Sequence, residues 1–214
     1  MINNVIFDLG NVLVNFKPLD YVRNRISDGE KAEKIYQSIF KSPEWLMLDR
    51  GVVTEKEAID TICKRHSDLS QGIRLVMTDW YQMLTPIDNV IDILKELRSK
   101  GYKTYFLSNY QLLAYEYVLR EYDIFSHFDG GIFSFKERLL KPETEIYKKL
   151  VETYKEVDPG ESIFIDDTEE NAEAAAGQGF KAILFKNAPE LREDLAKYGV
   201  PAAERHGRAG TRGK

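Results

Sequence analysis

Asp8 ends a short apolar run, Val5-Ile6-Phe7, and no further charge follows until Lys17. Far downstream, Ile163-Phe164-Ile165 ends the same way, in Asp166-Asp167. Runs this short, rich in β-branched and aromatic residues, read as strands buried on both faces. Each then delivers carboxylate to the carboxyl edge of a sheet, where open α/β sheets bind their ligands. Three acids gathered there repel one another unless a cation or basic group sits among them, which points to a divalent-metal site. Two more junctions carry chemistry. The strand Tyr102–Leu107 runs into Ser108-Asn109 and then a helix from about Tyr110, so a hydroxyl and backbone N–H groups are placed to hold an anion. Lys141-Pro142-Glu143 opens another helix, with the proline keeping Lys141 out of the α region so that its ammonium can reach across the edge. Carboxylates for a metal, an anion-binding helix start and one lysine together suit a phosphoryl group.

The elements that must position these residues are legible as two kinds of segment. From Pro18 to Thr85 no good strand candidate occurs, and the apolar spacing reads as helices. Leu19-Tyr21-Val22-Ile26 gives the first, and Ala32-Ile35-Tyr36-Ile39-Phe40 the second. Thr54-Glu55-Lys56-Glu57 is a capping box opening a third, and a fourth after Gly72 carries Leu75, Val76, Trp80 and Met83. From Pro86 onward helices and strands alternate. The helix of Val90 to Leu97 stops at Lys100-Gly101, and strands are expected at Tyr102–Leu107, Gly130–Phe133, Ile163–Ile165 and Ala182–Phe185. Helices are expected from Pro142 to Tyr154, through the alanines ending at Ala176, and from Pro189 to Tyr198. This pattern implies an α/β fold: a Rossmann-like parallel sheet with helices on both faces, plus an inserted α-helical cap. The expected division is 1–16 and 86–200 for the core and 17–85 for the cap. The basic residues 201–214 read as a disordered tail. A helical block inserted after the first strand lies over the acids, where a lid belongs.

Composition sets the boundaries of this reading. The 214 residues are 43% hydrophobic and 30% charged, an ordinary globular balance with material for a full core. A net charge of −5 argues against a general nucleic-acid or membrane-surface binder. The single cysteine, Cys63, excludes an internal disulfide framework and fits the buried face of a helix. No signal-peptide pattern or membrane-length apolar run is present, so the expected location is the cytoplasm.

Taken together and in order, Asp8-Leu9-Gly10-Asn11-Val12, Ser108-Asn109, Lys141-Pro142-Glu143 and Asp166-Asp167 resemble the four motifs of the haloacid dehalogenase-like (HAD) hydrolase superfamily. The likeness spans almost the whole globular chain, and the helical insert is similar to that superfamily's α-helical cap. The nearest branch in motif is that of the small sugar-phosphate phosphatases. The resemblance implies a Mg²⁺-dependent phosphatase acting on a small phosphorylated metabolite, as a monomer or homodimer. Asp8 would be the nucleophile, forming an aspartyl-phosphate. Asp8, the Gly10 carbonyl, Asp166 and Asp167 would hold Mg²⁺. Ser108 and the Asn109 N–H would bind phosphoryl oxygens, and Lys141 would neutralise both the phosphate and Asp8. Two other outcomes follow from the same scaffold: a halide-displacing hydrolase, which needs no Mg²⁺, or a catalytically weak phosphate-binding regulator.

One departure stands out. Most phosphatases of the superfamily carry a second Asp two positions after the nucleophile, which protonates the leaving oxygen and later activates water. Here that position is Gly10. Asn11 beside it is not an acid; another acid, such as Glu44 or Asp49 of the insert, or water could substitute, the substrate could have a leaving group that needs little protonation, or the chain could be the catalytically weak relative named above. In the same stretch Arg50 could reach a substrate hydroxyl or phosphate, and Trp45 could stack on a sugar face. Their ordinary alternatives are a solvated arginine at a helix end and a core tryptophan.

Overall fold

The computed structural model describes residues 1–200, so the basic segment 201–214 lies outside the described residues. Five parallel strands form one sheet in the order β3-β2-β1-β4-β5. They are β1 (Asn4–Phe7), β2 (Lys103–Ser108), β3 (Gly130–Phe133), β4 (Ser162–Asp166) and β5 (Lys181–Leu184). The central strand β1 is buried along its entire length, as are the last five residues of β2 and all of β4. That is why their sequences are continuous apolar runs rather than alternating ones. The order reverses at β1, the first strand in sequence and the middle one of the sheet, and ligand sites of open sheets form at such a switch. Phe7 pairs with Phe106 on one side and Ile165 on the other. The residue one step beyond Phe7 therefore emerges between the ends of β2 and β4.

Five α-helices lie between β1 and β2: α1 (Pro18–Arg25), α2 (Gly29–Phe40), α3 (Pro43–Asp49), α4 (Glu55–Arg65) and α5 (Ser70–Met77). Their starts are written locally. Asp28, Ser42 and Thr54 each accept a hydrogen bond from the third residue of the helix they precede, and Thr54 completes its capping box with Glu57. The chain leaves the sheet and returns through paired segments. The Asn15 N–H donates to the Thr85 carbonyl and the Ile87 N–H to that of Leu13, each at 2.8 Å.

The remaining helices are α6 (Asp88–Ser99), α7 (Leu112–Glu121), the single turn α8 (Ser134–Glu137), α9 (Thr144–Thr153), α10 (Glu169–Gly177) and α11 (Ala188–Lys197). They cover the sheet with two buried apolar clusters. The larger runs from Val5 and Phe7 into the insert, and the smaller gathers Ile6, Tyr105, Tyr147 and Phe164. None of the described helices is long and apolar enough to cross a membrane.

Three local expectations need correction. The helix expected after Gly72 starts earlier, at Ser70, and stops at Met77; Trp80–Met83 is a separate 3₁₀ turn entered through Asp79 at φ +55°. Gly72 sits inside α5 because a Cβ there would lie 2.4 Å from the Ile35 Cδ1. Close approach of α2 thus outweighs the helix propensity lost, about 1 kcal/mol. The helix after β2 begins at Leu112, two residues later than expected, and the one after Lys141-Pro142 begins at Thr144 rather than at the proline.

Candidate active site

Asp8 leaves β1 at the switch point, with its N–H donating to the Ile165 carbonyl at 2.8 Å. It is buried beside Asp166, the last residue of β4. Between them lies the Lys141 ammonium, 2.8 Å from the Asp8 Oδ1 and 2.5 Å from the Asp166 Oδ2. Asp166 is fixed further by the Thr168 N–H (2.9 Å) and the Asn171 amide (3.0 Å), both donating to Oδ1. Oxygen atoms of Asp8, Asp166 and Asp167 come within 4.8 Å of one another.

Lys141 is itself held by Asn109. The Asn109 side chain accepts from the Lys141 N–H at 2.8 Å and donates to the Lys141 carbonyl at 3.0 Å. This bidentate grip on one residue's backbone locks the loop ahead of α9 to the end of β2. The Lys141-Pro142 bond within it is cis. Asn109 was expected to act through its backbone N–H on a phosphoryl group; its side chain also orients the lysine. Ser108, buried at the end of β2, contributes a hydrogen bond that favours the charged form of Asp8.

The electrostatics follow from burial. Burial pushes the Asp8 carboxyl up to about 6; Lys141 opposes this and the Asp166 charge adds to it. Burial alone would lower the Lys141 ammonium, but the charges of Asp8 and Asp166 more than offset it and hold it above its ordinary value. Burial also raises Asp167, against a hydrogen bond from the Asn11 amide at 3.1 Å. Asn11 is set aside in the sequence as a non-acid, yet it links two parts of the site. Its Oδ1 accepts from the Phe16 N–H at 3.0 Å, and it adopts φ +54°, a conformation asparagine tolerates better than most residues.

A hard divalent cation fits this donor set. All the acidic ligands are oxygens, as Mg²⁺ requires. The buried Asp8 Oδ1, though near the ammonium, receives no well-directed hydrogen bond, which leaves it free to bind a cation.

Beside Gly10 and Asn109, where the helical insert meets the core, lies a cavity of about 80 Å³. Gly10, Asn109, Tyr110, Gln111 and Ala114 line it from the core, and Phe16, Trp45, Asp49 and Trp80 from the insert side. Trp45 reaches it as one ring in an aromatic cluster, stacked on Phe16 at 6.0 Å and edge-on to Trp80 at 4.9 Å. Arg50 does not line it. Its guanidinium is engaged bidentately by Glu143, and it donates to the Arg138 carbonyl at 3.1 Å, so in this structure it links the end of α3 to the loop ahead of α9. Glu44 is likewise occupied, by a bidentate pair with Arg65. Tyr110 and Gln111 were missed in the sequence. The only signal for them is that they directly follow Ser108-Asn109. The Tyr110 hydroxyl is buried without a hydrogen-bond partner, and burial followed by the Asp8 charge holds its proton firmly.

Comparison with known proteins puts these features in company. A family model described as haloacid dehalogenase-like hydrolase matches residues 2–179. A sesquiterpene phosphatase of Aspergillus oryzae is 26% identical over 81% of this chain and 85% of its own length. A D-ribitol-5-phosphate phosphatase of Bacteroides thetaiotaomicron is 25% identical over 91% of this chain and 97% of its own. A drimenol cyclase of Aspergillus calidoustus is 24% identical over 94% of this chain, which spans only 38% of that protein's length. Among solved structures, a HAD family enzyme of Bacteroides thetaiotaomicron in complex with magnesium and inorganic phosphate superposes with a TM-score of 0.69. It is 25% identical, and the match covers 87% of this chain and 95% of that one.

Proposed function

The chain belongs to the haloacid dehalogenase-like hydrolases, and from that premise we propose a Mg²⁺-dependent phosphatase that cleaves a small phosphorylated metabolite through an aspartyl-phosphate on Asp8. The observation that carries this is the buried Lys141 ammonium held between Asp8 and Asp166. Asp8 presents its carboxylate to phosphorus, and Ser108 and the Asn109 N–H receive the phosphoryl oxygens. Lys141 offsets the charge of both nucleophile and phosphate, which would otherwise repel. Asn109 holds Lys141 at its post. Asp8, the Gly10 carbonyl, Asp166 and Asp167 would hold Mg²⁺, which when bound neutralises charge on the transferring group.

A sugar phosphate is the favoured substrate class. The named activity of the D-ribitol-5-phosphate phosphatase supports it, as does a cavity that combines aromatic rings with the polar Asp49, Asn109 and Gln111. The sesquiterpene phosphatase makes an apolar organic phosphate the comparison to run beside it. Halide displacement is disfavoured by the Asp166-Asp167 pair, which suits a metal. The test is a panel of sugar phosphates and an isoprenoid monophosphate, beside p-nitrophenyl phosphate, each with and without EDTA. Mg²⁺-dependent release of phosphate is expected, strongest on a sugar phosphate. It should be lost by at least about 10⁴-fold in Asp8→Asn. Turnover indifferent to EDTA, or surviving in Asp8→Asn, would sink the proposal.

A further inference from the structure

This inference rests on the phosphatase reading and concerns the proton that Gly10 is unable to supply. Gly10 and Asp49 line the same cavity. Apart from its chain neighbours, a Cβ placed on Gly10 would meet nothing nearer than the Asp8 Oδ2, at 4.0 Å, so the space at Gly10 is open. Asp49 comes from the far end of α3 but is tied to the core twice. Its Oδ1 accepts from the buried Gln111 amide at 2.9 Å, and its main-chain carbonyl accepts from the Ser134 hydroxyl at 2.5 Å. Ser134 in turn accepts from the Tyr110 N–H at 2.8 Å. Both ends of Asp49 are thereby registered on the segment after β2 that carries Asn109 and directly follows Ser108.

Asp49 also differs from the other acids at hand. Glu44 is committed to Arg65, Glu143 to Arg50, and Asp8 and Asp166 to Lys141, while Asp167, which accepts from the Asn11 amide, stands with Asp8 and Asp166 in the group that would hold the metal. Among the described residues Asp49 has no cationic partner and a single amide donor. A carboxyl so placed can exist in either protonation state, as a group that both gives and takes a proton requires. Burial, opposed by Gln111 and reinforced by the Asp8 charge, lifts it to about 7, consistent with that use.

We propose that Asp49 is the acid–base residue of this enzyme, supplied by the insert across the cavity in place of the side chain missing at Gly10. In the first step an Asp8 oxygen bonds to phosphorus and the bond from phosphorus to the organic oxygen breaks. The leaving oxygen keeps the electron pair and takes the Asp49 proton, so an alcohol departs. In the second step water attacks the phosphoryl group and gives a proton to the Asp49 carboxylate. The bond from phosphorus to Asp8 breaks with its electron pair returning to Asp8, and inorganic phosphate departs. The sum is monoester plus water giving alcohol plus phosphate, with both carboxyl groups restored.

The test is rapid-quench measurement of Asp8 phosphorylation with Mg²⁺, using glycerol phosphate and p-nitrophenyl phosphate. The alkoxide needs a proton and the nitrophenolate does not. Asp49→Asn should slow phosphorylation by glycerol phosphate about 10²–10⁴-fold, the usual contribution of a general acid, and by p-nitrophenyl phosphate less than about tenfold. Asp49→Ser must show the same split, guarding against one variant that folds poorly. Adding Gly10→Asp to Asp49→Asn should recover at least about tenfold on glycerol phosphate, because the space at Gly10 is open. Equal losses on both substrates, or no loss on either, would overturn the assignment while leaving the phosphatase reading intact. A wild-type chain phosphorylated by neither substrate would overturn both.

Discussion

The carboxylate centre at the sheet edge and the cavity beside Gly10 and Asn109 are built by opposite means. In the centre, the Lys141 ammonium touches two carboxylates, Asp166 has three donors, and Asn109 grips the lysine backbone from both sides. Adjacent parallel strands set its geometry through fixed register. In the cavity, Tyr110 has an unpartnered hydroxyl and Asp49 a single donor, and the walls are aromatic rings from the insert side and from the segment after β2. The centre gives most of its polar atoms fixed partners and leaves the Asp8 Oδ1 open at the place where a cation would bind. The cavity leaves polar atoms open, which is what a site for a variable organic group needs.

The largest expected effect tests the fixed partners of the centre. Asp166→Ala removes one of the two carboxylates flanking a buried ammonium and leaves the Asn171 amide without its acceptor. Breaking such a buried pair costs about 3–5 kcal/mol, here toward the lower end because Asp8 still faces Lys141. Urea denaturation should show that loss, and Mg²⁺-dependent turnover should vanish under conditions where the protein remains folded. A variant that is destabilised yet still turns over with Mg²⁺ would mean Asp166 serves the lysine rather than the metal.

The same contrast explains what could be read from the sequence. The strands, the four chemical junctions and the helical insert were legible, because burial on both faces and capping residues are local signals. Asp8, Asp166 and Lys141 were each readable from the residues preceding or following them. The partners that position them were not. Asn109 side-chain contacts, the Asn11–Asp167 bond and the Gln111–Asp49 bond join residues 32, 156 and 62 positions apart. No periodicity reports such pairings. The Arg50 contact was not legible for the same reason: its partner, Glu143, lies 93 residues away.

A smaller effect is expected where the insert is fastened to the core. Gly51 adopts φ +69°, and a Cβ there would lie 2.3 Å from the Phe135 carbonyl oxygen, a backbone atom that cannot rotate away. Asp49, Arg50 and Gly51 thus touch the core in succession, through Gln111 and Ser134, through Glu143, and through Phe135. Gly51→Ala should cost more than about 1 kcal/mol, since alanine pays both for the left-handed backbone and for the clash. It should also lower kcat more than Asp8 phosphate-site binding, because the displaced segment carries Asp49 and not Ser108 or Lys141. Unchanged kcat with a loss of stability alone would show that the cavity tolerates movement of its latch.

The smallest effect separates fastening from recognition. Arg50 and Glu143 are each about one-third exposed, at 33% and 36%. A pair so exposed is screened by solvent, and even a bidentate one is worth on the order of 1 kcal/mol or less. Glu143 also accepts from the Leu140 N–H at 3.1 Å, so it remains useful to its own loop when the arginine is gone. Arg50→Ala should therefore lower the melting temperature by about 2–4 °C at most, on the scale of 1 kcal/mol for a chain of this size. KM for the preferred substrate should change less than about twofold, because the guanidinium is engaged by Glu143 and Arg50 does not line the cavity. A tenfold rise in KM at constant kcat would show instead that Arg50 leaves Glu143 to bind substrate. The insert would then contribute recognition through a residue whose resting contacts belong to the latch, and fastening and recognition would no longer be separate tasks.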